Sequence, residues 1–183
     1  MDKLELRKQI SGKINSLSEE YINEASSRIM QYVMETDDYW QAENIFCYVA
    51  VNKEVQTRAF IQKAINDGKR IGVPLCTSKG VMEVREITSL NQLIMGKYNI
   101  PEPKFDTAVM KPEDIDLAIV PCVTGNYRGE RLGHGGGFYD RYLGNSVINS
   151  IMVCLDKIIV ENVPIDDHDI VMDVVITEKG VFK

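Results

Sequence analysis

Four short apolar stretches constrain this chain more than any other feature: Ile45-Phe-Cys-Tyr-Val-Ala-Val51, Ile115-Asp-Leu-Ala-Ile-Val-Pro121, Ile151 to Leu155 and Val174 to Thr177. A strand with one wet face alternates apolar and polar residues; these runs largely do not, so they suit strands covered on both faces, the pattern of a parallel sheet between helices. The first run is followed by Thr57, which can cap a helix ending at Gly68, and then by the strand-like Arg70-Ile-Gly-Val-Pro-Leu75. That strand–helix–strand order implies a right-handed crossover and a parallel pair. Ahead of it, Leu6, Ile10, Ile14 and Leu17 recur at helical spacing. Ser18 with Glu19 and Glu20 reads as the N-cap and acidic first turn of a second helix carrying Ile22, Ala25, Ile29 and Val33, broken at Thr36 to Asp38. Val81 to Ile87 reads as an edge strand or a hairpin arm; Leu90 and Leu93 suggest a short helix that Ile100-Pro-Glu-Pro103 cannot continue. The expectation is one three-layer α/β domain over 1–183, with a mainly parallel, Rossmann-like sheet.

Charge narrows the function classes. With 21 Lys+Arg against 27 Asp+Glu the net charge is −6, which argues against duplex nucleic acid and against anionic membranes as partners. No apolar run approaches the roughly 18 residues of a membrane span, and Met-Asp-Lys-Leu-Glu-Leu-Arg at the start lacks an apolar signal core, so a cytosolic protein is expected. The four cysteines, Cys47, Cys76, Cys122 and Cys154, form no C-x-x-C pair, and the two histidines are remote from them in sequence. A zinc site or disulfide framework is not expected, and a small, buried, apolar role suits most of these thiols.

The densest chemistry lies in Gly129-Glu-Arg-Leu-Gly-His-Gly-Gly-Gly-Phe-Tyr-Asp-Arg141, after the strand closed by Pro121. Ligands of parallel sheets bind beyond the carboxyl ends of strands, and glycines at 133, 135, 136 and 137 allow backbone N–H groups to converge on an anion. The run after them can open a helix whose N-terminus adds a favourable dipole. No Gly-Lys-Ser/Thr follows, so this is not a Walker loop, and Phe138 stands where a dinucleotide fingerprint needs its last glycine. Clustered glycines are also found in tight turns that bind nothing. The flanks favour a phosphate site: Arg131 and Arg141 bracket the glycines, Tyr139 offers a ring and a hydroxyl, and Asp140 can hold a cation or cap a helix.

The stretch Arg131-Leu-Gly-His-Gly-Gly-Gly-Phe-Tyr-Asp-Arg-Tyr-Leu143 resembles the signature of the 5-formyltetrahydrofolate cyclo-ligase (5,10-methenyltetrahydrofolate synthetase) family. Further pieces resemble that family in its order: Lys3-Leu-Glu-Leu-Arg7, the strand to Val51 with Glu54-Val-Gln-Thr57, Gly96 to Pro103, and His168-Asp169 with Asp173-Val-Val-Ile-Thr-Glu178. The resemblance implies ATP-dependent closure of 5-formyltetrahydrofolate to 5,10-methenyltetrahydrofolate through a phosphorylated formyl group, with ADP and phosphate released. It implies ATP as co-substrate and Mg2+ as cofactor, small-molecule substrates only, and action as a monomer. By the same resemblance Lys3 and Arg7 reach ATP phosphates, and Arg131, Leu132, Gly133, His134, Gly135, Gly136, Gly137, Phe138 and Tyr139 form the nucleotide loop. Val49, Glu54 and Tyr139 match folate-contacting positions, and Asp140 and Asp169 match magnesium carboxylates. A carboxylate at 54 suits the amine and N–H donors of a pterin edge. His134 is expected to line the pocket, and no general base is assigned. Two departures stand out: Gly125-Asn126 where relatives often carry Phe-Asp, and Phe138 in place of a common tyrosine. They leave a second reading, a nucleotide- or folate-binding relative without turnover. An enzyme acting on phosphosugars or acyl-CoA is a further rival, for which the chain offers no additional catalytic cluster.

Overall fold

The structure is a computed structural model that describes residues 1–96 and 99–183; Lys97 and Tyr98, inside the family-like segment Gly96 to Pro103, lie outside the described residues. Three helices come first: α1 (Lys3–Ser16), α2 (Glu19–Glu35) and the short α3 (Asp37–Gln41). Strand β1 (Asn44–Cys47), helix α4 (Arg58–Asn66) and strand β2 (Arg70–Ser78) make the expected crossover. Then follow β3 (Val81–Ile87), β4 (Leu93–Met95), β5 (Pro101–Pro103), β6 (Val109–Met110), β7 (Leu117–Val120), β8 (Thr124–Gly125) and β9 (Arg131–Leu132). Helix α5 (Phe138–Leu143) and strands β10 (Asn149–Val153), β11 (Val174–Thr177) and β12 (Gly180–Phe182) complete the chain.

One eight-stranded sheet runs β12-β11-β10-β7-β1-β2-β3-β6. Its five central strands are parallel, and the pairs β11–β12, β2–β3 and β3–β6 at its margins are antiparallel. Val81 to Ile87 is therefore a hairpin arm covered on its far side by β6. The apolar runs behave as their lack of alternation requires. Ile45 and Cys47, Leu117 and Ile119, and Val174 and Ile176 face one core, while Phe46, Ala118, Val120 and Val175 face the other. From β1 the chain winds outward to β2, then returns to β7 on the other side of β1 and continues to β10 and β11. Right-handed crossovers in opposite directions put α4 and α5 on opposite faces. The first core is roofed by α1, α2, α3 and α4; the second has only the short α5 and loops over it, with Met82, Met110, Met152 and Met172 filling it. Methionine's unbranched side chain suits such an irregular gap.

Several local expectations need correction. The apolar run through Val51 pairs as strand only to Cys47; Tyr48 to Ala50 stay buried because the chain turns inward there. Thr57 sits at the N-cap of α4 without capping it, since its hydroxyl donates to Tyr48 O (2.8 Å) and accepts from Ala50 N (3.0 Å). The break at Thr36 to Asp38 is itself a helix start, Thr36 accepting from Tyr39 N. The turn at Leu90–Gln92 is a single 3₁₀ turn, and Leu93 begins a strand. Ser18 caps α2 as expected, accepting from Tyr21 N. Among the described residues no helix is long and apolar enough to cross a membrane.

Candidate active site

The winding reverses between β1 and β7, and neighbouring crossovers leave the sheet on opposite faces there, opening a crevice at the carboxyl ends of the strands. A cleft of about 770 Å³ occupies this position. Its floor is made by Tyr48, by Pro121 to Val123 after β7 and by Val153 to Leu155 at the end of β10. One wall is the 51–56 loop after β1. The other is a face of α1 presenting Arg7, Ser11, Ile14 and Asn15, with Glu19, Ile22 and Asn23 of α2 beyond it. Arg7, Ser11 and Asn15 are spaced four apart, which is the helical repeat of one face. That spacing was available in the sequence once Arg7 was marked, so Ser11 and Asn15 are cleft residues it could have found; Tyr48 and the floor after β7 and β10 carry no such mark.

Glu54 stands at the cleft mouth. Its Oε2 accepts from Val51 N (2.9 Å), holding the loop closed, and its Oε1 lies 3.3 Å from His134 Nε2 of the glycine loop. The Tyr48 hydroxyl donates to Val55 O (2.6 Å) and anchors the same loop from below. Burial first, then the Glu54 charge, pushes the phenols of Tyr48 and Tyr139 well above their ordinary range, so both stay protonated donors. Val49, 2% exposed, packs in the first core and does not line the cleft.

The glycine loop links β9 to α5. Gly135 and Gly137 have φ of +93° and +65°, the conformations for which glycine was expected here; Gly133 and Gly136 do not. Gly137 is the residue before α5, so the helix opens where the sequence suggested. Arg7 fastens the loop to α1: its Nε donates to Gly133 O (2.8 Å), and its terminal NH2 groups have no partner among the described residues. Leu132 is 1% exposed in the first core, while its carbonyl accepts from Val123 N (2.8 Å). Phe138 packs on the second core. The Tyr139 ring stacks on Phe46 (5.7 Å between centroids, 8° between planes), with the Arg131 guanidinium 5.7 Å from its centroid. Arg141 closes the far side, Nη1 donating to Gly136 O (2.7 Å) and Gly80 O (3.1 Å).

Beneath the loop lie the expected cation ligands. Asp140 accepts from Arg131 Nη2 on Oδ2 (2.8 Å) and from Ile170 N on Oδ1 (3.2 Å), so it is brought beside Asp169. Lys3 bonds Asp166 (2.7 Å) and Asp169, and Asp169 Oδ2 also accepts from Asp166 N (2.7 Å). Lys3 is thus paired with a carboxylate expected to hold magnesium. Burial alone would raise the Asp169 carboxyl, but the Lys3 ammonium and the Asp166 N–H together hold it below its usual value. Asp156, which bonds Tyr127 and Lys179 (2.5 Å), is lowered against burial in the same way. A depressed carboxyl stabilises the fold above its unfolded pKa, and that contribution disappears as pH falls through the lower, folded value. We therefore expect melting temperature to hold near neutrality and to drop steadily below about pH 4. Asp169→Asn should flatten part of that drop in melts run from pH 6 to pH 2.5.

Gly125-Asn126 has a structural account. A side chain at 125 would overlap Met152, with its Sδ 2.6 Å away and Glu130 O at 2.9 Å, so Met152 fills the space a larger residue would take. Asn126 organises the β8–β9 turn, its side-chain oxygen accepting from Arg128 N (3.0 Å) and Glu130 N (3.2 Å).

A family model described as the 5-formyltetrahydrofolate cyclo-ligase family matches residues 1–178. The chain is 28% identical to a Schizosaccharomyces pombe protein named a probable 5-formyltetrahydrofolate cyclo-ligase, covering 100% of this chain and 98% of that one. It is 29% identical to the Escherichia coli 5-formyltetrahydrofolate cyclo-ligase over 87% of this chain and 89% of that one. Among solved structures it resembles the Aquifex aeolicus 5,10-methenyltetrahydrofolate synthetase with a TM-score of 0.89 and 28% identity, covering 100% of this chain and 93% of the other.

Proposed function

The chain belongs to the 5-formyltetrahydrofolate cyclo-ligase family, and from that premise we propose that it closes 5-formyltetrahydrofolate to 5,10-methenyltetrahydrofolate at the expense of ATP. The observation that carries this reading is the contact between two differently built halves. A folate-sized cleft of mixed apolar and polar lining, with the Glu54 carboxylate at its mouth, meets a glycine loop flanked by cations, and Arg7–Gly133 and Glu54–His134 join them.

In this proposal the pterin enters the cleft with its donors on Glu54, and the ATP phosphates lie along Gly133 to Gly137. Arg7 faces both, and its unused NH2 groups are free to neutralise phosphate charge as it moves. The formyl oxygen is an amide-like, poor leaving group. Transfer of the γ-phosphoryl onto it leaves ADP and creates a good one; the neighbouring folate nitrogen then bonds to the formyl carbon and gives up its proton to solvent or phosphate, and the carbon–oxygen bond breaks with departure of inorganic phosphate. Positioning and charge neutralisation account for the protein's contribution, as in other phosphoryl transfers.

For magnesium the donor set fits in type and number: Asp140, which accepts from Ile170 N, and Asp169, the residue before Ile170, supply two carboxylates, and such an ion takes one or two carboxylates with phosphate oxygens and waters. Asp169 Oδ1 makes no hydrogen bond among the described residues, although Asp140 is engaged by Arg131 and Asp169 Oδ2 by Lys3. When bound, the ion would supply charge neutralisation at the phosphates; Lys3 would then turn from Asp169 to a phosphate oxygen. The reading carries with it a cytosolic, monomeric enzyme.

The test is to mix protein, 5-formyltetrahydrofolate, ATP and magnesium and to follow the methenyl chromophore, with one ADP and one phosphate expected per product. Full-rate product formation without nucleotide would refute the coupling. Tight binding of both substrates without phosphate release would favour the non-catalytic alternative, which the filling of the Gly125 site by Met152 otherwise weakens. Glu54→Gln is expected to weaken folate binding by about 10- to 100-fold, the loss of one or two charge-assisted bonds, and ATP binding far less. Calorimetric titrations with each substrate check this; an unchanged folate affinity beside a large loss for ATP would reassign Glu54.

A further inference from the structure

Two thiols at the cleft floor have no part in the chemistry above. The β7–β10 register pairs Leu117 with Asn149 and Val120 with Met152, and continued by two residues it sets Cys122 beside Cys154. Adjacent strands lie about 4.8 Å apart, within the roughly 4.4–6.8 Å between Cα atoms that a disulfide spans. Cys122 Sγ donates to Val153 O (3.5 Å), the carbonyl of the peptide that leads into Cys154. Both residues line the cleft; Cys154 is 1% exposed and Cys122 is half-buried. The neighbouring Cys122 thiol, and then burial, pushes the Cys154 thiol well up, and Cys154 Sγ donates to Leu155 O (3.5 Å); Cys122, the more exposed of the two, is the half that meets a reagent first. Cys47 is wholly buried.

We propose that Cys122 and Cys154 form a thiol–disulfide site in the cleft floor, oxidised by low-molecular-weight disulfides and closing the enzyme when oxidised. The Cys122 thiolate attacks one sulfur of the reagent, whose S–S bond breaks; one thiol leaves, taking up a proton, and a mixed disulfide remains. Cys154 gives up its proton, attacks the Cys122 sulfur and expels the second thiol. The protein loses two electrons and two protons; the reagent gains them. Bonded sulfurs sit about 2.05 Å apart, so Cys122 Sγ must leave Val153 O and both side chains must turn toward one another across the cleft floor. Cys122 lies between Pro121, whose carbonyl accepts from Arg131 Nη1 (3.2 Å), and Val123, whose N–H donates to Leu132 O (2.8 Å). The rearrangement therefore alters the cleft floor directly and reaches the root of the glycine loop through the Pro121–Val123 segment. A displacement of about 1 Å can cost up to ~100-fold in rate, so a loss on the order of tenfold is expected.

The test incubates the reduced protein with oxidised glutathione, maps alkylated peptides by mass and measures turnover before and after dithiothreitol. Expected is a peptide pair joined through Cys122 and Cys154, an intact mass lower by two hydrogens, and recovery of rate on reduction. Cys154→Ala should stop at the glutathionylated Cys122 stage, Cys122→Ala should gain no adduct at Cys154, and Cys76→Ala should oxidise as the parent does. Full alkylation of both thiols after oxidant, or a bridge through other cysteines, overturns the site. A mapped bridge with unchanged turnover overturns its regulatory role. Bridge formation does not depend on the cyclo-ligase reading whereas the rate effect rests on it, so the peptide map and the rate separate failure of one from failure of the other.

Discussion

Arg131→Met is expected to unfold the protein at a much lower temperature than the parent. The Arg131 side chain is 3% exposed, and its ion pair with Asp140, itself 15% exposed, is the buried anchor beneath the glycine loop. Methionine keeps the volume and removes the charge. The Asp140 carboxylate then retains only the Ile170 N–H, and Pro121 O loses the Nη1 donor. Removing one partner of a buried pair costs about 3–5 kcal/mol, because the other charge stays desolvated. For a chain of this size each kcal/mol lowers the melting temperature by roughly 2–4 °C, so a drop of about 10 °C is expected. Arg131→Met combined with Asp140→Leu should regain most of that loss, since two apolar residues of similar volume leave no orphan charge. Turnover should not return with stability, because the cation under the phosphates is still missing. Differential scanning calorimetry beside the chromophore assay reads both. If the single variant melts within about 2 °C of the parent, less than one kcal/mol is at stake and the pair is not the anchor.

The same pair marks where sequence reading ends. Arg131 and Asp140 were each visible as charged flanks of the glycines, and Lys3 and Asp169 as family-like positions. Nothing in the chain order says that they neutralise one another, because Lys3 and Asp169 lie 166 residues apart and meet only when α1 crosses the strand ends. The strands were legible because burial on both faces leaves a mark in composition that no tertiary detail can erase. Their ends were not: Tyr48 to Ala50 are as apolar as Ile45 to Cys47, yet their backbone turns to Thr57 instead of to a neighbouring strand. Apolar character reports burial, not pairing. The helix at Asp37 was hidden for the opposite reason, since a threonine cap and two aspartates in the first turn look like a loop when read as polarity alone.

Gly135→Val is expected to abolish ATP-dependent turnover while the protein stays folded. At φ +93° a β-branched residue is strained by about 1–3 kcal/mol, and the exposed position gives the loop no packing to lose. The new Cβ would also sit 3.4 Å from Arg7 Cζ, with the γ-methyls pressing the guanidinium off Gly133. Strain and displacement act on the same peptide units that should cradle phosphate, so ATP affinity should fall at least ~100-fold against a melting shift of only a few degrees. Gly136 makes the control. Gly136 does not have positive φ, and what a Cβ would meet there is the Phe138 ring at 2.7 Å. Valine at 136 should therefore disturb the start of α5 and cost relatively more stability for the affinity it removes. Gly135→Ala should fall between parent and valine in ATP affinity. Titration of ATP against each variant, with circular dichroism to confirm folding, orders the three. A folded Gly135→Val protein that binds ATP as the parent does would mean that the phosphates lie elsewhere, and that this loop only ties α1 to the sheet.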